Sequence, residues 1–243
     1  LWSPGSPALY NLTVTAKQGG KAAARQTVRF GFRSVTAKEG RVLLNGKPIF
    51  LRGIAINPPG RDISDDVGYS HEFAHAYVRY LRTQNVNLIR LSMPFRVEER
   101  QQVWLDVCDE LGMLLYQGNY GAPPAPGGAK GAPVDPEEQT ELFAGKIANA
   151  PRTAKTAPPE DFEGSLRMYK SVFETYVRHP SVIIYVLSNE LPGPVLSNPG
   201  WHEFLTRIDQ RVNEWDPTRL VIGNAGYGLG REGDINDAHR YWG

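Results

Sequence analysis

The chain has almost no cysteine: Cys108 stands alone among 243 residues. One thiol excludes an intrachain disulfide and a cysteine metal cluster, and within a helical apolar pattern Cys108 reads as a small hydrophobe. An excess of charge of one sign is lacking too. The 27 basic and 26 acidic side chains leave a formal net charge of +1, so no electrostatic footprint points to nucleic acid or an anionic membrane. No run approaches the ~20 apolar residues of a membrane span. There is no GxGxxG after the first parallel-strand candidate and no GxxxxGKS/T anywhere, which argues against a nucleotide-binding sheet. His71 and His75 are four residues apart but not within HExxH, and with His202 they make no metal constellation, so neither metal nor cofactor is expected. An initiator Met and a signal-peptide pattern are both missing, and "LWSPGSPALY" reads like the middle of a domain. The chain is therefore expected to be a fragment.

What is present changes grammar along the chain. In "LYNLTVTA", Tyr10, Leu12 and Val14 alternate with polar neighbours, the period of a half-buried strand. "TVRFGFRSV" repeats the alternation, and Gln18-Gly19-Gly20-Lys21 between them is a turn. Residues 1–40 are expected as the last strands of a β-sandwich, too few to bury their own face. "RVLLNGKPIFL" is a hairpin signal, because Asn45-Gly46 tolerates positive φ at both turn positions.

From Ile49 onward short apolar runs alternate with helical patterns. The runs are "IFLRGIA", "VNLIRLS", "MLLYQG", "SVIIYVLSN", "RLVIG" and a sixth around "DINDAHRYW". Between them lie "HEFAHAYVRYLRTQ", with Ser70 placed to cap it, then "EERQQVWLDVCDELG", then helices over Phe162–Tyr176 and Trp201–Val212. Strands apolar on both faces and alternating with helices imply a parallel sheet. Six such steps over 41–243 are expected as a (β/α)8 TIM barrel truncated after about six strands, because a barrel closes only with eight. A Pro-, Gly- and Lys-rich insertion at about 119–159 is long enough to be a lid or disorder.

Chemistry in parallel α/β folds collects at the carboxyl ends of strands. Those ends offer Asn57, Arg90, Gln117, Asn119, Asn189, Glu190, Asn224, His239 and Tyr241. One carboxylate, one guanidinium, amides and a phenol suit a sugar with many hydroxyls better than a phosphate or metal, and Trp242 could serve as a platform for a sugar ring. Asp237 shares a period-two face with His239 and Tyr241. Asp109 and Glu110 read as a solvated helix end, and Trp104 and Trp201 as packing residues.

"LWSPGSPALYNLTV", "RFGFRSV", "LLNGKPIFLRG", "NVNLIRLSM", "VCDELGMLLY", "VRHPSVIIYVLSNE" and "DPTRLVIG" occur in that order. They resemble the sequence blocks of glycoside hydrolase family two, the β-galactosidases, β-glucuronidases and β-mannosidases, over nearly the whole chain outside the insertion. The resemblance implies an immunoglobulin-like β-sandwich before the barrel and a retaining mechanism on a carbohydrate. It makes Glu190 the general acid/base, has Asn189 hold the hydroxyl next to the anomeric carbon, has Arg90 orient the nucleophile and has Tyr241 hydrogen-bond it. His239, Asn57 and Trp242 complete the expected substrate contacts.

Two positions depart from the family pattern: Asn57-Pro58 stands where a His-Glu pair is usual, and Gln117 where the third strand often ends in an acid. The family nucleophile, a Glu at the end of strand seven, matches no residue here and is expected beyond residue 243. The rival reading is a non-catalytic carbohydrate-binding protein with a degenerate barrel. No nucleic-acid or membrane partner is expected, and the full-length protein could form a homo-oligomer.

Overall fold

A computed structural model of the chain describes residues 1–56, 63–91, 102–118, 158, 160–189, 199–226 and 233–237. The first element is an antiparallel ribbon, β1 (Tyr10–Gln18) and β2 (Lys21–Phe30). Its turn is Gly19-Gly20, both at positive φ, which a Cβ would resist. The alternating apolar residues are there, but among the described residues they are left open: Leu12 is 54% and Val14 60% exposed. A small sheet follows, with β3 (Val35–Lys38), β4 (Arg41–Leu44) and β5 (Lys47–Ile49) in sequential antiparallel order. Asn45 and Gly46 both take positive φ at the β4–β5 turn, as the dipeptide led us to expect.

The stretch expected as one strand, "IFLRGIA", is divided. Ile49 ends β5, and a separate strand β6 (Gly53–Ile56) opens a parallel sheet. The break has a specific cause, since the Asn87 side chain bonds both the Phe50 carbonyl (2.9 Å) and the Arg52 N–H (2.7 Å), holding the backbone between the two sheets. The parallel sheet runs β10-β9-β8-β7-β6, with β7 (Leu88–Leu91), β8 (Leu114–Gly118), β9 (Val182–Asn189) and β10 (Leu220–Ala225). Sequential neighbours, all parallel and each joined through a helix, are the arrangement of a partial (β/α) barrel. Of the sixth run, the described residues 233–237 make one isolated bridge, from Gly233 to Ile222, and the remainder lies outside the described residues. The short helix read near 137–147 and the rest of the insertion, apart from 158 and the segment's far border, lie outside them too.

Helices α1 (Asp65–Gly68), α2 (His71–Thr83), α3 (Gln102–Leu111), α4 (Phe162–Tyr176) and α5 (Pro199–Trp215) accompany the sheet. Ser70 caps α2 by accepting the Phe73 N–H. Ala74, Val78 and Leu81 then bury at helical spacing. Asp161 caps α4 in the same way, through the Gly164 N–H at 2.7 Å. Gly112 ends α3 at φ 69°, and a Cβ there would lie 2.6 Å from the Pro4 carbonyl oxygen, so the position needs glycine twice over. Among the described residues no helix is long and apolar enough to cross a membrane.

The sheet separates two apolar layers. Its outer face carries Ile89, Leu115, Tyr185, Leu187 and Val221 against Val78, Trp104, Cys108, Phe173 and Ile208 of the helices. Its inner face carries Leu88, Leu114, Tyr116, Val186 and Ile222, closed below by Trp2, Val35 and Leu44 from the N-terminal segments. Every residue of β9 is buried. Each aliphatic side chain so removed from water contributes about 1.5–3 kcal/mol, which is why the strand is apolar without alternation. Cys108, Trp104 and Trp201 are packing residues, as expected.

Candidate active site

The apolar run of β9 ends at Ser188-Asn189, and from there polar side chains take over at the carboxyl ends of the strands. Arg90 lies on β7, two strands away. Its guanidinium crosses β8, and Nη2–H donates to Asn189 Oδ1. Gly118 keeps β8 without a side chain at its end: a Cβ there would stand 2.3 Å from the Val186 carbonyl oxygen. Below the guanidinium lies Tyr116, the register partner of Arg90, with the Arg90 Cζ 5.2 Å from the ring centroid. The Tyr116 hydroxyl donates to Asp237 Oδ2 at 2.5 Å.

On the other side of β9, Ser188 Oγ sits 2.7 Å from the Gly223 carbonyl and 3.1 Å from Asn224 Oδ1. Asn189 and Asn224 are both buried. Gln117 is fully buried, with Nε2 3.5 Å from the Tyr176 hydroxyl and Oε1 lacking a hydrogen-bond partner among the described residues. Burial pushes the Tyr176 phenol up, against a lowering contribution from Gln117, so it stays neutral at any ordinary pH, its oxygen accepting from Gln117 Nε2. The arrangement can hold a planar amide and a cation in fixed register at the end of a dry strand.

Of the residues proposed from sequence, Arg90 and Asn189 are brought into direct contact. Glu190, Asn57, His239, Tyr241 and Trp242 lie outside the described residues, as does Asn119. Tyr116 was passed over, although its spacing from Leu114 and Gly118 puts all three on one face of β8. Asp237, on the period-two face with His239 and Tyr241 in the sequence, meets Tyr116 there.

The opposite end of the sheet holds a second polar group, which the sequence reading misjudged. Asp109 was expected on a solvated helix end; it is 2% exposed. Its carboxylate lies 2.7 Å from His179 Nδ1 and accepts the Ser181 N–H at 3.0 Å. The overlooked signal is its i+4 spacing from buried Leu105, which places it on the inward stripe of α3. Glu110 is part-exposed and pairs with Arg29 at 2.5 Å. Asp106, Asp109 and His179 bring potential ligand atoms within 4.8 Å of one another. Arg29 (3.4 Å) and Arg178 (3.2 Å) already face Asp106, however, so this is an ion-pair network and a poor cation site.

Next to it Arg219 pairs with Asp216 and donates to the carbonyls of Tyr176, Val177, His179 and Val182. Burial alone would raise the Asp216 carboxyl, but Arg219 with the hydrogen bonds from Thr218 and Tyr185 outweighs it and leaves the group below its ordinary value. Arg33 reaches in from the N-terminal segment to the Pro180, Thr218 and Val182 carbonyls. Burial and the neighbouring Arg219 push it down to about 9, which still leaves a cation at neutral pH.

The chain matches the family model described as "Glycosyl hydrolases family 2" over residues 1–33 and that of the "Glycosyl hydrolases family 2, TIM barrel domain" over 35–227. It is 28% identical over 229 residues to a β-galactosidase of Priestia megaterium, covering 90% of this chain and 19% of that protein. A putative β-glucuronidase of Formosa agariphila is 26% identical over 228 residues, 93% of this chain and 18% of its own length. The chain thus spans about a fifth of the curated relatives it matches. Among solved structures, a family 2 β-galacturonidase from Eisenbergiella tayi bound to galacturonate superposes with a TM-score of 0.65 at 20% identity, over 93% of this chain and 34% of that one. That likeness concerns the fold.

Proposed function

Since this chain belongs to glycosyl hydrolase family 2, we propose that the whole protein hydrolyses a β-linked terminal sugar with retention of configuration. These residues supply the acid/base half of the site. Glu190 follows Asn189, the last residue of β9, directly in sequence. It protonates the leaving oxygen in the first step and deprotonates water in the second, while a carboxylate from outside the chain attacks the anomeric carbon from ~5 Å away. Asn189 holds the hydroxyl beside the anomeric carbon. Arg90 orients the attacking carboxylate, and Tyr241 donates a hydrogen bond to it. His239, Asn57 and Trp242 are further sugar contacts. The end of the sandwich is residues 1–40 and the barrel 41–243.

The observation that carries this reading is the Arg90–Asn189 contact at the carboxyl end of the sheet. An amide turned by a guanidinium at that end is suited to hydroxyl recognition, and in barrels that end is where catalysis sits. The test is the whole protein on a panel of nitrophenyl and alkyl β-glycosides. Glu190→Gln should lower kcat on alkyl glycosides by about 10²–10⁴-fold, since an alkoxide needs the proton. Nitrophenyl substrates, whose leaving group departs unprotonated, should lose less in the first step. Equal losses on both classes would remove Glu190 from the acid role, and no turnover by the wild type would favour the non-catalytic sugar binder. The 243-residue chain alone should be inactive, for want of the attacking carboxylate.

A further inference from the structure

Arginine is long and flexible, so a guanidinium that must present one donor to Asn189 across an intervening strand needs something beneath it. The structure supplies Tyr116. It is the neighbour of Arg90 in the β7–β8 register, and its ring centroid lies 5.2 Å from the guanidinium carbon. At that separation the electron-rich face of a phenol attracts a cation. The ring is itself restrained, because its hydroxyl donates to Asp237 Oδ2 at 2.5 Å, a short charge-assisted bond. Asp237 comes from the segment after β10, whereas Tyr116 is on β8 and Arg90 on β7. The connected groups Asp237, Tyr116, Arg90 and Asn189 therefore bind together parts of the sheet that are not adjacent in sequence.

We propose that Tyr116 and Asp237 form a positioning pair for Arg90. Asp237 fixes the plane of the phenol and, by accepting its hydrogen bond, enriches the ring face; the ring carries the guanidinium; the guanidinium holds the Asn189 amide toward the sugar. Both members of the pair act through Arg90, which Tyr116 contacts directly and Asp237 reaches through Tyr116. The inference rests on the glycosidase reading for its effect on rate, but its geometric content stands apart from that reading.

The test uses the whole protein, with crystal structures and kinetics of the wild type, Tyr116→Leu, Tyr116→Phe and Asp237→Asn. In Tyr116→Leu, Arg90 should leave Asn189, and kcat should fall about 10²-fold while KM moves less than about 3-fold, as expected for a misplaced group that acts in the transition state. Tyr116→Phe keeps the platform and should recover activity to within about 10-fold of the wild type. Asp237→Asn should resemble Tyr116→Phe, and the double variant should be no worse than either single one. Arg90 still seated on Asn189 in Tyr116→Leu, or fully additive losses in the double variant, would overturn the pair. If Tyr116→Leu does not fold, the Phe and Asn variants and their cycle decide alone. A wild type that hydrolyses nothing sinks the glycosidase reading, while the position of Arg90 in the variant crystals still decides the pair.

Discussion

The two ends of one sheet use polar groups in opposite ways. At the amino-terminal end of β9, His179, Asp109, Arg219 and Asp216 are buried and Arg33 is partly exposed, and their charges and donors are met by carboxylates, carbonyls and backbone N–H groups. At the carboxyl end, the Arg90 guanidinium donates to Asn189, Ser188 Oγ lies against Gly223 and Asn224, and Gln117 Oε1 is without a partner among the described residues. The charges of the amino-terminal network are met within it, and of its buried polar atoms Ser181 Oγ is without a partner among the described residues. The network holds α3, the α4–β9 turn, the turn before β10 and the N-terminal segment against each other. Groups gathered at the ends of strands can still form new bonds. The lesson is that a buried charge is informative only once its partners are known: the more strongly charged end is the structural one.

Breaking the floor should give the largest change. Asp109→Ala leaves His179 and the Ser181 N–H without their acceptor in a dry interior and should cost about 3–5 kcal/mol of barrel stability, read as a lowered denaturant midpoint. The kcat of the protein that remains folded should hardly move. Asn189→Ala should do the reverse, lowering kcat about 10²-fold with a stability change under about 1 kcal/mol. If each variant moved both quantities together, the division between the two ends would be wrong.

The smallest effect concerns pH. The Asp216 carboxyl is held below its ordinary value in the folded protein, so its pairing stabilises the fold above the unfolded-state pKa of about 3.9 and is lost as pH falls further, through the folded-state value. Asp216→Asn should therefore flatten the acid limb of a plot of melting temperature against pH. An unchanged acid limb would mean that Asp216 is not the group linking this floor to protons.

Much of this was legible from residue order. The continuous apolar run of β9, the 3.6-residue stripes of α2 and α4, the Ser70 cap and the Asn45-Gly46 turn each rest on interactions within a few residues, and such interactions leave a periodic trace. Arg90 and Asn189 were legible as a candidate pair because parallel strands deliver their last residues to one mouth. Asp109 was misread because its partner, His179, is 70 residues away, and in sequence a helix acid that meets a distant histidine looks the same as one that meets water. Tyr116 was missed for a similar reason, since its role depends on lying under Arg90 and against Asp237. The break between β5 and β6 was hidden because one asparagine, Asn87, imposes it from the turn before β7.

Residue order by itself determined most of the strands and helices, that the strands after β5 are parallel, and that their sheet must be covered on both faces, since hydrophobic period is a local property of the chain. Tertiary structure alone decided which charges are neutralised and which are presented, because Coulombic and hydrogen-bond partners are selected by distances in space, and those distances exist only after β7, β8 and β9 are aligned.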